Sequence, residues 1–172
     1  MTDTTDRRRA MLRRIRWVLG GFVVGLVLSG LTAIPLEREV DLLAAGMGIP
    51  VGASPGELAG LRQWIAAVRE GIHQVSFRYP FMAYGTDWLA FAHVVIAVAF
   101  LGPLRDPVRN VWVITFGMVA CAMVIPMALV FGYVRDIPLG WRIIDCCFGV
   151  VGFLPLWAAR RWTMDLARVV GW

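Results

Sequence analysis

Charged residues are scarce in this chain, and only three of them lie in four long stretches. They make up 17% of the 172 residues, whereas hydrophobic residues make up 59%. A helix rises about 1.5 Å per residue, so roughly 20 apolar residues cross a hydrocarbon core of about 30 Å. Such stretches identify an integral membrane protein, and they leave no room for a separate soluble enzyme domain. The four stretches are 17–36, 81–104, 111–134 and 139–159.

Several catalytic motifs are also missing. The three cysteines include the adjacent Cys146 and Cys147 but no pair separated by two residues, which excludes the thioredoxin type of redox site and that of quinone-linked thiol oxidases. No glycine-rich phosphate loop and no His-Glu-x-x-His sequence occurs. The sequence therefore gives no reaction by motif.

The pattern predicts an all-α fold, a bundle of four transmembrane helices with an extracytoplasmic helical loop between the first and second. The connections after the second and third helices are short, which makes neighbouring helices antiparallel. The remaining segments are a basic cytoplasmic tail at 1–16, the loop at 37–80 and a cytoplasmic tail at 160–172.

Arginine placement predicts the orientation. With the N-terminus inside, eleven arginines are cytoplasmic and six lie on the opposite side. Positive charge is retained on the cytoplasmic side, so both termini are expected there. The basic N-terminus is expected to contact anionic lipid head groups, and nucleic-acid binding is not expected.

The long loop carries two helical patterns. One amphipathic helix is predicted at about 37–45. A second is predicted at about 55–76, because Ser54 to Glu57 form a capping box with proline at the first helical position. Its apolar stripe recurs in steps of three and four residues: Leu58, Leu61, Ile65, Val68, Ile72 and Val75. These helices either cover the bundle mouth and lipid interface or form a lid or partner-docking surface.

Four ionisable residues inside the predicted spans form the candidate polar site. Asp87 and Asp145 each lie about 9 Å from the outer end of their span, and Arg142 is one turn from Asp145. Buried charges in a membrane usually face the protein interior. We expect Arg142 to be the cationic partner of the two aspartates. Asp87, His93 and Asp145 are expected to bound an outer cavity, roofed by the helix that begins at Ser54. An ion, proton or substrate site and a structural ion pair both remain open.

His93 is expected about 18 Å into its span, and Cys121 about 15 Å into the next. A histidine hydrogen-bonded across helices is the favoured interpretation, and a metal site with Cys121 is the alternative. Haem held by two histidines would need a second one in the membrane, whereas His73 is predicted outside. No cofactor is predicted.

The first span contains a small-xxx-small pattern at Gly21, Gly25 and Ser29. Small residues let helix backbones approach closely in lipid. The pattern predicts a helix contact within the bundle or with a second copy, which would make a homodimer.

Two stretches, Tyr84–His93 and Trp141–Cys146, resemble segments of small uncharacterised four-helix bacterial integral membrane proteins. The resemblance covers about 80–157 and implies a bacterial inner membrane without a known reaction.

Three classes of function remain open. The favoured one is a non-enzymatic subunit or accessory protein of a membrane assembly. A small proton-coupled transporter or channel would use the Asp/His layer. A membrane enzyme would act on a lipid or quinone at the outer mouth, although one histidine and two aspartates are a sparse set for catalysis.

Overall fold

The computed structural model of the chain describes residues 2–171, and these are helical throughout, with turns and no strand. The predicted all-helical class is confirmed. The ends of the two predicted tails, Met1 and Trp172, lie outside the described residues. The helices are α1 (Thr2–Thr32), α2 (Leu36–Gly46), α3 (Gly60–Arg78), α4 (Tyr84–Ala99), α5 (Leu101–Arg105), α6 (Val111–Val134) and α7 (Leu139–Val170).

Four helical stretches are long and apolar enough to cross a membrane, which agrees with a multi-pass membrane protein. They are Asp6–Thr32, Pro80–Arg105, Val111–Val134 and Leu139–Val169. Two helices extend beyond the predicted spans, since α1 begins at Thr2 and α7 continues to Val170. Both extensions are rich in arginine, and each also contains a leucine, a methionine and an alanine; all four residue types favour helix.

The predicted helix at 55–76 is divided in the structure. Pro55–Glu57 form a single 3-10 turn, the Ser54 side chain makes no capping hydrogen bond, and α3 begins only at Gly60. Gly60 has φ +60°, a left-handed conformation that glycine adopts without a steric penalty. The capping-box pattern therefore marks a turn that precedes the helix.

The second candidate span is not one continuous α-helix. It starts with a 3-10 turn at Pro80–Ala83, and α4 ends at Ala99. Pro103 lacks the N–H group that would bond to the Ala99 carbonyl, which explains the end of α4 at that residue. A new short helix, α5, then contains Pro103.

The chain divides into two compact units. The central unit is Val27–Val94, and the terminal unit comprises the chain up to Leu26 and from Val95 onward. In the terminal unit, α6 packs against α7. Its fully buried side chains come from α1, α6, α7 and Phe100: Ile15, Leu19, Val113, Ile114, Leu156, Ala159 and Leu166.

Glycines allow α6 and α7 to approach closely. A Cβ atom added at Gly149 would lie 2.5 Å from the Cys121 carbonyl oxygen, and one at Gly152 would lie 2.8 Å from the Cys121 Sγ atom. Because lipid tails are as apolar as the side chains, such packing contacts are a main source of helix association in membranes. The α6–α7 contact thus depends on the absence of a side chain at Gly149.

In the central unit, α2 packs against α3, and α3 contacts the 3-10 turn at Pro80–Ala83. The buried side chains of these helices are small or branched: Val40 and Ala44 in α2, and Ile65 and Ala66 in α3. The central unit is therefore a small helical domain with its own core.

We expect Gly149→Ala to lower the free energy of unfolding by about 1–3 kcal/mol, because its methyl group overlaps a backbone atom that cannot move alone. Gly140→Ala is the matched control, since its added Cβ meets nothing within 4 Å. Unfolding in mixed detergent micelles measures both variants. Equal stabilities for the two would contradict the close α6–α7 contact.

Candidate functional site

The four predicted site residues are divided between the units: Asp87 and His93 belong to the central unit, whereas Arg142 and Asp145 belong to the terminal unit. Asp87 is exposed in the first turn of α4. His93 is half-buried, and its Nδ1 lies 2.8 Å from the Leu89 carbonyl oxygen. A carbonyl only accepts, so Nδ1 donates this bond, within its own helix rather than across helices.

Arg142 does not form the predicted ion pair. Its Cγ and Cδ atoms pack on Gly132 of α6, where they fill the space that a side chain would take, and its Nε atom is buried without a hydrogen-bond partner. Among the described side chains, the ion pairs join Arg69 to Asp41, His73 to Glu37 and Asp41, and Arg168 to Asp165. Arg142 therefore acts here as a packing residue of the α6–α7 contact.

The predicted helix contact in the first span is not made within the chain at its glycines. A Cβ atom added at Gly21 or Gly25 would meet nothing within 4 Å, and Ser29 is exposed. The close approach occurs instead at Gly30, where an added Cβ would lie 2.8 Å from the Cβ of His93. Small residues indicate where two helices are able to approach closely. Which of them makes the contact depends on the rotation of the helix about its axis, and packing sets that rotation.

The described residues contain no group of three histidine, cysteine or acidic side chains arranged to hold a metal ion. Cys121 belongs to the α6–α7 contact, where its Sγ atom faces Gly152. Cys146 and Cys147 are free thiols, as is Cys121.

The central unit contains a polar cluster that the sequence does not reveal, here called the polar clamp: Glu37 and Asp41 of α2 with Arg69 and His73 of α3. Asp41 Oδ1 accepts a hydrogen bond from Arg69 Nε at 2.6 Å and lies 3.1 Å from His73 Nε2. The other ring nitrogen of His73 lies 3.9 Å from a Glu37 carboxylate oxygen. One carboxylate thus ties two residues of α3 to α2.

Two arginines of α3 also bind the connection from α2. Arg62 donates to the Gly48 carbonyl at 2.7 Å, and Arg69 donates to the Pro50 carbonyl at 3.5 Å. Both carbonyls belong to exposed residues of the segment that follows α2. The arginines therefore fix the path of the chain between α2 and α3.

The polar clamp shifts the ionisation of Asp41. The hydrogen bond with His73 lowers the pKa of the Asp41 carboxyl, as do the bond from Arg69 and its charge, and these outweigh desolvation, which raises it. Because the folded-state pKa lies below the ordinary value, the clamp contributes stability above about pH 3.9 and loses it as the pH falls below that.

An apolar groove of about 570 Å³ runs beside the polar clamp, also within the central unit. Its walls come from the segment between α1 and α2, from the first turn of α2, from one face of α3, and from the beginning of the second candidate span. The lining is apolar for the most part: Ile34, Pro35, Leu36, Glu37, Arg38, Val68, Gly71, Ile72, Val75, Ser76, Met82, Ala83 and Thr86. Such a shape and lining are typical of sites for apolar ligands.

The expected apolar stripe of α3 is divided between two surfaces. Ile65 is buried in the central unit, whereas Val68, Ile72 and Val75 line the groove beside Met82. The sequence thus predicted the apolar stripe of α3, three residues of which line the groove, whereas the roof of α3 over a cavity with Asp87, His93 and Asp145 stays a prediction. It did not predict the polar clamp, because Asp41 lies 28 and 32 residues from its two partners.

The chain matches no family model, no curated protein and no solved structure.

We expect a double-mutant cycle with Asp41→Asn and Arg69→Gln to give a coupling of about 1 kcal/mol, the upper end for exposed pairs, because only 18% of the Arg69 side chain is exposed. The same cycle on Asp165 and Arg168, where the atoms are 3.5 Å apart and both side chains are more exposed, should give less than about 0.5 kcal/mol. Unfolding at pH 7 and pH 3 measures both cycles. Coupling at Asp41 that persists undiminished at pH 3 would contradict the clamp.

Proposed function

We propose that the protein is a non-enzymatic accessory protein of a membrane assembly that holds the apolar chain of a membrane lipid in the groove of its central unit. The observation that carries this proposal is the groove itself, with its volume of about 570 Å³ and its apolar lining. A groove of this size lies within the range of small-molecule sites, and its walls offer few polar groups to orient a polar ligand.

The position of the groove along the chain supports a lipid as the occupant. One candidate span ends at Thr32, two residues before the groove residue Ile34. Another begins at Pro80 and includes the groove residues Met82 and Thr86. At about 1.5 Å per residue, these wall residues are within about two helical turns of the ends of the spans. An apolar chain can enter from the bilayer without crossing water.

The proposed orientation has both termini in the cytoplasm and the central unit's α2 and α3 on the outer side of a bacterial inner membrane. The eleven-to-six distribution of arginines supports it. The partners would be the lipid bilayer, anionic head groups near the basic N-terminus, and another membrane protein or a second copy.

A second candidate is a membrane enzyme acting on a lipid or quinone, which one observation favours. Glu37 lines the groove, and its carboxylate lies 3.9 Å from His73 Nδ1, so the acid at the groove wall has a base as its neighbour. Purification of the protein with a bound quinone, seen by its ultraviolet absorbance, would favour this candidate.

We expect an impermeant thiol reagent to label Ser54→Cys in intact cells, in a background where Cys121, Cys146 and Cys147 are replaced by serine or alanine. Residue 54 lies in the α2–α3 connection and is exposed, so the reagent can reach it from the outer side. Labelling that requires disrupted cells would reverse the orientation.

We expect Gly71→Leu to reduce lipid contact with the groove by about fivefold or more, since overfilling a packed site costs at least about 1 kcal/mol. Gly71 lines the groove, and an added Cβ there meets nothing within 4 Å, so the variant should fold. The measurement is photo-crosslinking in lipid nanodiscs with a phospholipid carrying a diazirine on its acyl chain, followed by peptide mapping of Val68 and Ile72.

The matched control is Ala67→Leu, an exposed position of the same helix outside the groove lining, which should leave the crosslinks unchanged. Equal crosslinking of wild type and Gly71→Leu at Val68 and Ile72 would refute lipid binding in the groove.

A further inference from the structure

The first two turns of α4 carry a second surface cleft, here called the aromatic cleft, of about 270 Å³. It is lined by Tyr84, Asp87, Trp88 and Phe91, which recur at steps of three and four residues and so share one face of the helix. The groove of the central unit uses Ala83 and Thr86 instead. The aromatic cleft is therefore a separate surface.

Three aromatic rings stand at right angles in this cleft. The centroid of Trp88 lies 5.9 Å from that of Tyr84 and 5.6 Å from that of Phe91, with interplanar angles of 84° and 87°. All three side chains are more than half exposed. Aromatic ring faces carry partial negative charge, and perpendicular rings present faces that a cation can approach from the open side.

Asp87 adds a full negative charge to the same cleft. Its side chain is exposed, and none of the ion pairs among the described side chains includes it. It lies in the first turn of α4, where the helix dipole favours an anion. A carboxylate beside three exposed rings has the chemistry of a site for an organic cation.

The depth of Asp87 fits a ligand at the membrane interface. The candidate span Pro80–Arg105 contains 26 residues. A span of that length extends to about 39 Å, which exceeds a hydrocarbon core of about 30 Å by several ångströms. The first turn of α4 can therefore lie among the lipid head groups, where amines are abundant.

The geometry points to a binding site for an alkylammonium group in the aromatic cleft, an inference that goes beyond the proposed function. The ammonium would contact the Asp87 carboxylate and the faces of the Trp88, Tyr84 and Phe91 rings. Inorganic cations hold their hydration water more tightly, and aromatic sites prefer organic ammonium groups. A cation–π contact already occurs nearby in the central unit, where the Arg78 guanidinium lies 5.6 Å from the centroid of the Tyr79 ring.

Two sources supply this group, a lipid head group such as that of phosphatidylethanolamine and a free amine such as choline. In the first arm of the test, native mass spectrometry of the full chain compares retention of phosphatidylethanolamine with retention of phosphatidylglycerol. In the second arm, the melting temperature is measured with millimolar choline in nanodiscs of phosphatidylglycerol alone. Preferential retention of phosphatidylethanolamine in the first arm identifies the lipid head group as the source. A shift in melting temperature with choline, without that preference, identifies the free amine.

We expect Asp87→Asn and Trp88→Leu each to reduce the affinity for the ammonium group by about five- to thirtyfold in the responding arm. Asp87→Glu should restore most of it. The matched control Trp112→Leu removes an exposed tryptophan of another candidate span and should have no effect.

Tyrosine and tryptophan also anchor helices at membrane interfaces without binding any particular head group. In that case wild type and Asp87→Asn would show the same lipid retention and the same change in melting temperature with choline, even if Trp88→Leu altered stability. That result, or an equal loss in Trp112→Leu, would overturn the proposed site.

Discussion

The position of α2 on α3 depends on one carboxylate, that of Asp41, which both Arg69 and His73 reach. The buried apolar side chains of these helices are few, Val40 and Ala44 in α2 and Ile65 and Ala66 in α3, and the two alanines constrain the register weakly. Charge-assisted hydrogen bonds are directional, so they fix a register that small apolar residues leave loose. Glu37 extends the same network to the wall of the groove. The polar clamp therefore helps to hold the part of the groove wall that α2 provides.

The terminal unit is held by a different kind of interaction. Its helices α6 and α7 meet through glycines, with Gly149 against the backbone of Cys121 and Gly132 against the stem of Arg142. In lipid, close van der Waals packing supplies the attraction that burial supplies in water. Polar contacts thus hold together the segment outside the candidate spans, whereas close packing holds together the helices within them.

The sequence predicted the elements whose length is set by the bilayer. The apolar segment at 111–134 coincides with α6, because the thickness of the hydrocarbon core fixes how many apolar residues must follow one another. Local motifs were less informative, since the capping box at Ser54 opens only a 3-10 turn and the left-handed Gly60 delays the start of α3. A capping pattern constrains a few dihedral angles, and one glycine can override it.

The candidate site was predictable only where it lies within one helix. The stripe through Val68, Ile72 and Val75 follows from helical periodicity, and it does line the groove. The partners of Asp41 and the packing of Arg142 on Gly132 depend on how two helices rotate against each other. That rotation is decided by many small contacts between residues that are far apart in the chain. No single stretch of sequence contains both partners of such a contact.

The central claim is that an apolar chain from the bilayer occupies the groove beside the polar clamp. A cryo-electron microscopy map of the full chain in a lipid nanodisc, with the particle enlarged by a bound antibody fragment, tests it most directly. The account predicts continuous rod-shaped density between Ile72 and Met82 that enters from the level of the membrane. A groove closed by its own side chains, or open to water without such density, would contradict it.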